Sequence, residues 1–163
     1  MTQNNETAIL AAGCFWGVEQ LLGQTKGVQE TQVGYIGGHI DHPTYKQICA
    51  GDTGHAEAVK VTFDPNTISY YELLEVFWRL HDPTSVNAQG PDVGHQYRSA
   101  IFTMNEQQKR EAEKSKREWD EKKVFKKPIA TEITPASTFY RAEEYHQKYF
   151  EKNGGGACHF IDE

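Results

Sequence analysis

The sequence predicts an α+β fold: a two-layer sandwich on a ferredoxin-like β-α-β-β-α-β core, with extra helices. Three observations predict it. Strand-length segments, apolar or alternating, recur at 8–12, 28–36, 55–63 and 97–104. Helix-period apolar stripes fall after the first and after the third of these. No repeat, linker or low-complexity tract interrupts the 163 residues, a length that suits one domain with a real core.

The elements follow in order. Residues 1–6 are polar and expected to be loose. Ala8 to Ala12 reads as a buried strand that Gly13 breaks. Gly17 to Leu22 is helical, with Val18, Leu21 and Leu22 on one face, and 23–27 is its exit loop. Val28 to Ile36 is the second strand, ended by Gly37-Gly38, and a helical turn is expected from Pro43 to Ile48. His55 to Phe63 is the third strand, with Ala58 and Lys60 on one side and Val59, Val61 and Phe63 on the other. Ser69 and Glu72 form a capping box opening a helix to about Leu80, striped by Leu73, Leu74, Phe77 and Trp78.

Residues 82–96 form a long loop rich in Pro, Gly, Asn and His. Tyr97 to Met104 is a strand, and Asn105 with Gln108 caps a highly charged helix to about Lys122. Its charges read as a solvated face. A short strand near Thr131 to Thr134 and a helix from Ala142 to about Lys152 complete the list. The chain is expected to be a single catalytic domain over 1–163, with a flexible arm from about 152.

Composition excludes several classes. The net charge of -6 argues against nucleic-acid binding, which needs a basic face. No stretch reaches membrane-spanning length, and the N-terminus has neither the basic start nor the apolar run of a signal peptide, so a cytoplasmic location is expected. The three cysteines, Cys14, Cys49 and Cys158, form no CxxC pair. No metal site or organic cofactor is indicated.

Gly13-Cys14-Phe15-Trp16-Gly17 sits where a strand hands over to a helix. A helix N-terminus offers free N–H groups and partial positive charge, which favour the nucleophilic thiolate. Phe15 and Trp16 could wall a pocket for a small uncharged sulfur substrate. The competing reading is a buried cysteine among core aromatics.

The chain resembles the methionine sulfoxide reductase A family. GCFWG matches that family's active-site signature. The resemblance continues through GYIGG from Gly34, PTYKQIC from Pro43, GDTGHAEAV from Gly51 and Phe77-Trp78. It goes on through HDPTS from His81, GPDVGHQYRSAI from Gly90 and FYRAEEYHQKY from Phe139, covering nearly the whole chain.

The resemblance implies the chemistry. Cys14 attacks the sulfur of methionine S-sulfoxide, free or in proteins, leaving methionine and a sulfenic acid. Phe15 and Trp16 hold the S-methyl group. Glu57 is the acid that protonates the sulfoxide oxygen, a task requiring a carboxyl kept neutral by burial. Read by position alone, Glu57 would be a surface strand carboxylate. Tyr45 and Tyr97 orient the sulfoxide oxygen, and Asp92 positions substrate; alone, these read as core or rim aromatics and a loop-capping Asp. Cys158 is the resolving cysteine, carried by a glycine-rich arm to form a disulfide with Cys14, and thioredoxin is the reductant. The segment departs from longer relatives: no cysteine follows Cys158, and Gly and Ala replace the usual aromatic or proline residues. Cys49 reads as buried and structural. The protein is expected to be a monomer.

Two other classes stay open on the residues alone. One is a cysteine hydrolase or acyltransferase pairing Cys14 with His55, His95 or His146. The other is a non-catalytic peptide-binding module with an aromatic pocket. The Phe-Trp pair beside Cys14 and the separate C-terminal cysteine favour redox chemistry.

Overall fold

The computed structural model describes residues 5–51, 53–90 and 92–153. The seven residues Glu6–Ala12 (β1) and the helix Phe15–Gly23 (α1) begin the chain's central unit, and β2 follows at Val28–Ile36. A short helix, Tyr45–Ala50 (α2), separates β2 from Ala56–Phe63 (β3). Tyr70–Arg79 (α3), the two-residue strands Ala88–Gln89 (β4) and Asp92–Val93 (β5), and Ser99–Thr103 (β6) come next. Glu106–Glu121 (α4), Glu132–Pro135 (β7), Tyr140–Arg141 (β8) and Tyr149–Asn153 (α5) complete the order.

The main sheet runs β7-β6-β1-β3-β2-β8. Its four central strands, β6-β1-β3-β2, are all antiparallel, and they reproduce the ferredoxin-like order. β7 joins parallel to β6, and β8 extends the other edge antiparallel to β2. Strand alternation sorts the side chains of β3. Val59, Val61 and Phe63 enter the main core with Val18 and Leu22 of α1 and Leu73, Leu74, Phe77 and Trp78 of α3. Ala56 and Ala58 enter a smaller cluster on the opposite face, covered by Ala136 and Phe139. The helices therefore lie on one side, which makes the sandwich two-layered.

Capping fixes the helix starts. Ser69 accepts from the Glu72 amide and Glu72 returns a bond to the Ser69 amide, as the capping box requires. Asn105 accepts from Gln108 N–H at 2.9 Å. Along α4, Gln108, Ala112, Ser115 and Trp119 are buried, so a narrow stripe packs while the charged residues face outward. Trp78 Nε1–H donates to Ser115 at 2.8 Å, tying α3 to α4.

Gly34 shows why β2 needs a glycine inside a strand. A Cβ there would meet Tyr140 O and the Phe139 ring, both at 2.5 Å. The missing side chain lets β8 approach.

The structure corrects three expectations. The final helix is not continuous from Ala142. Glu144–His146 forms a 3-10 turn, Lys148 has φ 53°, and only Tyr149–Asn153 is α-helical. Long-range bonds override local helix propensity here: Lys148 N–H donates to Glu19 Oε1 at 2.6 Å, and the Gln147 side chain pairs with the Val33 backbone. Second, the 82–96 loop contains the β4–β5 hairpin, and Tyr97 ends a 3-10 turn rather than starting a strand. Third, Cys49 is exposed, because the single buried residue of α2 is Ile48. Among the described residues, no helix is long and apolar enough to cross a membrane.

Candidate active site

Cys14 is the N-cap of α1. Gly13 precedes it with φ 96°, a conformation that L-residues with a Cβ resist, and this bend brings the chain out of β1 into the helix. The Cys14 thiol is half-buried at the helix N-terminus.

β3 delivers the facing carboxyl. The alternation that buries Val59 and Val61 under the helices turns Glu57 the same way, towards the start of α1. Phe15 N–H donates to Glu57 Oε1 at 3.3 Å. Glu57 is 1% exposed, which excludes the surface-carboxylate reading. Its Oε2 is buried without a hydrogen-bond partner among the described residues. Burial pushes the Glu57 carboxyl up to about 8; the Phe15 N–H opposes this and the nearby Asp92 charge adds to it. A group in that state holds its proton at neutral pH and lacks an acceptor for it.

Two phenols flank this carboxyl. Tyr45 opens α2, and Tyr97 follows the β4–β5 hairpin. Burial raises the Tyr45 phenol well above its ordinary range, with its hydrogen bond to the Cys49 thiol and the Glu57 charge adding to this. Burial also raises Tyr97, helped by Glu57, Asp92 and the two thiols Cys49 and Cys14. Both phenols therefore stay protonated donors. The structure thus brings Cys14, Glu57, Tyr45, Asp92 and Tyr97 to one place.

The aromatic wall is built from both ends of the chain. Phe15 is buried against Tyr35 at 5.8 Å and His146 at 5.2 Å between ring centroids. Trp16 is half-buried, stacks on Tyr149 at 3.8 Å and donates from Nε1 to His146 Nδ1 at 2.9 Å. That bond puts the imidazole proton on Nε2, and burial lowers the His146 pKa against the opposing charge of Glu143. The FYRAEEYHQKY segment holds Glu143 and His146, and the family resemblance implies no role for either in sulfoxide reduction. Only the fold, across a sequence separation of 130 for His146 and Trp16, reveals the contact.

The histidine pairing is not formed by the buried histidines. His55 accepts from Gly38 N–H at Nδ1 and contacts Ile40 O through Nε2, so both nitrogens serve the 38–40 loop. His146 Nδ1 serves Trp16, and its Nε2 has no partner among the described residues. His95 is exposed in the 3-10 turn. The remaining predicted site residue, Cys158, lies outside the described residues.

A thiol at a helix N-terminus beside a buried, neutral acid, on this α+β sandwich, fits the class of thiol oxidoreductases. Comparison with known proteins specifies which. The peptide methionine sulfoxide reductase family model matches residues 6–163. Peptide methionine sulfoxide reductase MsrA of Methanosarcina acetivorans is 62% identical over 149 residues, covering 91% of this chain and 79% of that one. The crystal structure of Mxr1 from Saccharomyces cerevisiae in reduced form superposes with a TM-score of 0.91 at 40% identity, covering 98% and 93% of the two chains. A structure of Mxr1 in complex with Trx2 matches with a TM-score of 0.67 at 30% identity, covering 98% and 91%. The chain belongs to the peptide methionine sulfoxide reductase family, among the MsrA enzymes, and its reaction is the reduction of methionine sulfoxide.

Proposed function

We propose that the chain reduces the S epimer of methionine sulfoxide, free or within proteins, in three steps. The Cys14 thiolate attacks the sulfoxide sulfur. Glu57 gives its proton to the sulfoxide oxygen as the S–O bond breaks, and Tyr45 and Tyr97 hydrogen-bond that oxygen. The protonated oxygen passes to the Cys14 sulfur as the Cys14–substrate S–S bond breaks, so methionine leaves and Cys14 is left as a sulfenic acid. The Cys158 thiol then displaces that oxygen as water, forming a Cys14–Cys158 disulfide. A thioredoxin dithiol reduces this disulfide and is itself oxidised. Phe15 and Trp16 take the S-methyl group, and Asp92 positions substrate through water.

The observation that carries this reading is Glu57: a buried carboxyl, held neutral, with Oε2 lacking a partner among the described residues, beside the Cys14 thiol at the N-cap position of α1. An unmade hydrogen bond from a buried group costs about 1–3 kcal/mol, and a sulfoxide oxygen can supply the acceptor. A neutral carboxyl can also sit beside a thiolate without repelling it. Thioredoxin as reductant is supported by the Mxr1–Trx2 complex of the yeast relative. The glycine-rich arm carrying Cys158 and the single-domain organisation belong to the same proposal, as do a monomeric state and a cytoplasmic site of action.

The test separates epimers. With thioredoxin, thioredoxin reductase and NADPH, the S-sulfoxide should drive NADPH loss and the R-sulfoxide should not. Cys14→Ser should abolish turnover. Equal rates on both epimers would remove the stereochemical claim, and turnover by Cys14→Ser would remove the nucleophile.

A further inference from the structure

Glu143 is a carboxylate that the reaction as written does not use, yet it touches two elements of the site. Its Oε1 accepts from the Tyr35 hydroxyl at 2.8 Å, and its Oε2 accepts from the Tyr45 amide at 2.8 Å. Tyr35 is fully buried on β2, and its partner across the sheet is Glu57. The amide of Tyr45 is the first of α2, one of the N–H groups a helix cannot satisfy itself.

The anchor matters because α2 is weakly held. The helix has six residues, and Ile48 alone is buried. So short a helix has little stability of its own. Its N-terminal capping box, Thr44 with Gln47, is exposed to water and ties the helix only to itself. Glu143 ties it to the sheet. Burial works against the Glu143 charge, but hydrogen bonds from the Tyr45 amide, its own amide and the Tyr35 hydroxyl, together with His146, hold its carboxyl below the ordinary range. The carboxylate is therefore ionised whenever the enzyme works. His146, whose amide donates to the Glu143 carbonyl at 2.9 Å, holds Trp16 from the same turn.

We propose that Glu143 is a positioning residue for sulfoxide reduction, setting the Tyr45 phenol against Glu57 by clamping the Tyr45 amide and the Tyr35 hydroxyl with its two oxygens. This rests on the reading that Tyr45 orients the sulfoxide oxygen. Glu143 does not meet the substrate. Its effect passes through Tyr45 and should vanish once the phenol is gone.

The test is a double-mutant cycle on the single-turnover rate of Cys14 thiol loss with methionine S-sulfoxide. Glu143→Gln keeps the shape and can still accept from the Tyr45 amide and donate to the Tyr35 oxygen, but it removes the negative charge that strengthens both bonds. It should slow the step about tenfold, the size of that lost charge assistance, with little change in the substrate concentration giving half-maximal rate. In the Tyr45→Phe background the same change should cost less than about twofold, since the cycle measures only what passes through the phenol. If Glu143→Gln does not fold, Tyr35→Phe removes one of the two clamping bonds and enters the same cycle with the same expectation. Equal losses in both backgrounds, or no loss in the wild-type background, would overturn the role of Glu143. Wild-type protein that consumes no thiol would overturn the catalytic reading itself, and this inference with it.

Discussion

Glu57 decides most at the scale of single residues. Its burial and its unmade bond fit a general acid, and Glu57→Gln should slow thiol consumption by about 10²-fold or more. The wild-type single-turnover rate should also fall above about pH 8, as the proton is lost, and Glu57→Gln should lack that limb. Stability follows the same proton. The native carboxyl is raised from 4.5 to about 8, so the folded state binds this proton more tightly than the unfolded chain. Its contribution is complete below pH 4.5 and is lost as pH climbs to about 8. Thermal unfolding at pH 5 and pH 8.5 should show Glu57→Gln gaining on wild type at the higher pH. A gap that does not change with pH would contradict the burial argument. The motif named this residue; strand alternation explains its direction, and its depth needed the sheet and α1 together.

Among the elements, local signals were read well where local forces decide. Val28–Ile36 matches its predicted bounds because alternation and the Gly37-Gly38 stop both act within the strand. The capping box at Ser69 and the Asn105 N-cap set helix starts for the same reason. The sequence misled where tertiary bonds win. Residues 142–152 have helical pattern, but Glu19 captures the Lys148 amide and Gln147 captures β2, so the chain breaks into a turn and a short helix. That break is what presents Glu143 and His146 to the site. The edge strand β8, only two residues long, left no pattern to read. Gly34 supports it. Gly34→Ala should destabilise the fold by about 1–3 kcal/mol, the usual cost of overpacking, and lower activity by disturbing the adjoining turn. Urea unfolding and the single-turnover rate measure both; an unchanged midpoint would show that β8 yields freely.

For the molecule as a whole, the ferredoxin-like order puts the end of β1 beside the start of β6, with Ala12 opposite Ser99. The catalytic end therefore gathers α1, β3, α2, the β4–β5 hairpin and the returning segment near residue 146, although these are far apart in sequence. Order and type of the central elements were legible because each strand and helix carries its own period. Their assembly was not, since no local pattern states that residue 146 meets residue 16. The family motifs supplied the site residues in a way that periodicity could not. The expected burial of Cys49 failed because its position beside Tyr45 on an exposed helix end depends on how α2 docks.

The central claim is that Cys14 is oxidised by the substrate and rescued by Cys158. Thiols counted before and after methionine S-sulfoxide is added, with no reductant present, test it most directly. About two thiols per chain should be lost, one from each reacting cysteine. Mass spectrometry should then find a Cys14–Cys158 peptide, and Cys158→Ser should complete one turnover and stall with thioredoxin. Folded protein that loses no thiol, or a Cys158→Ser variant that cycles undiminished with thioredoxin, would contradict it.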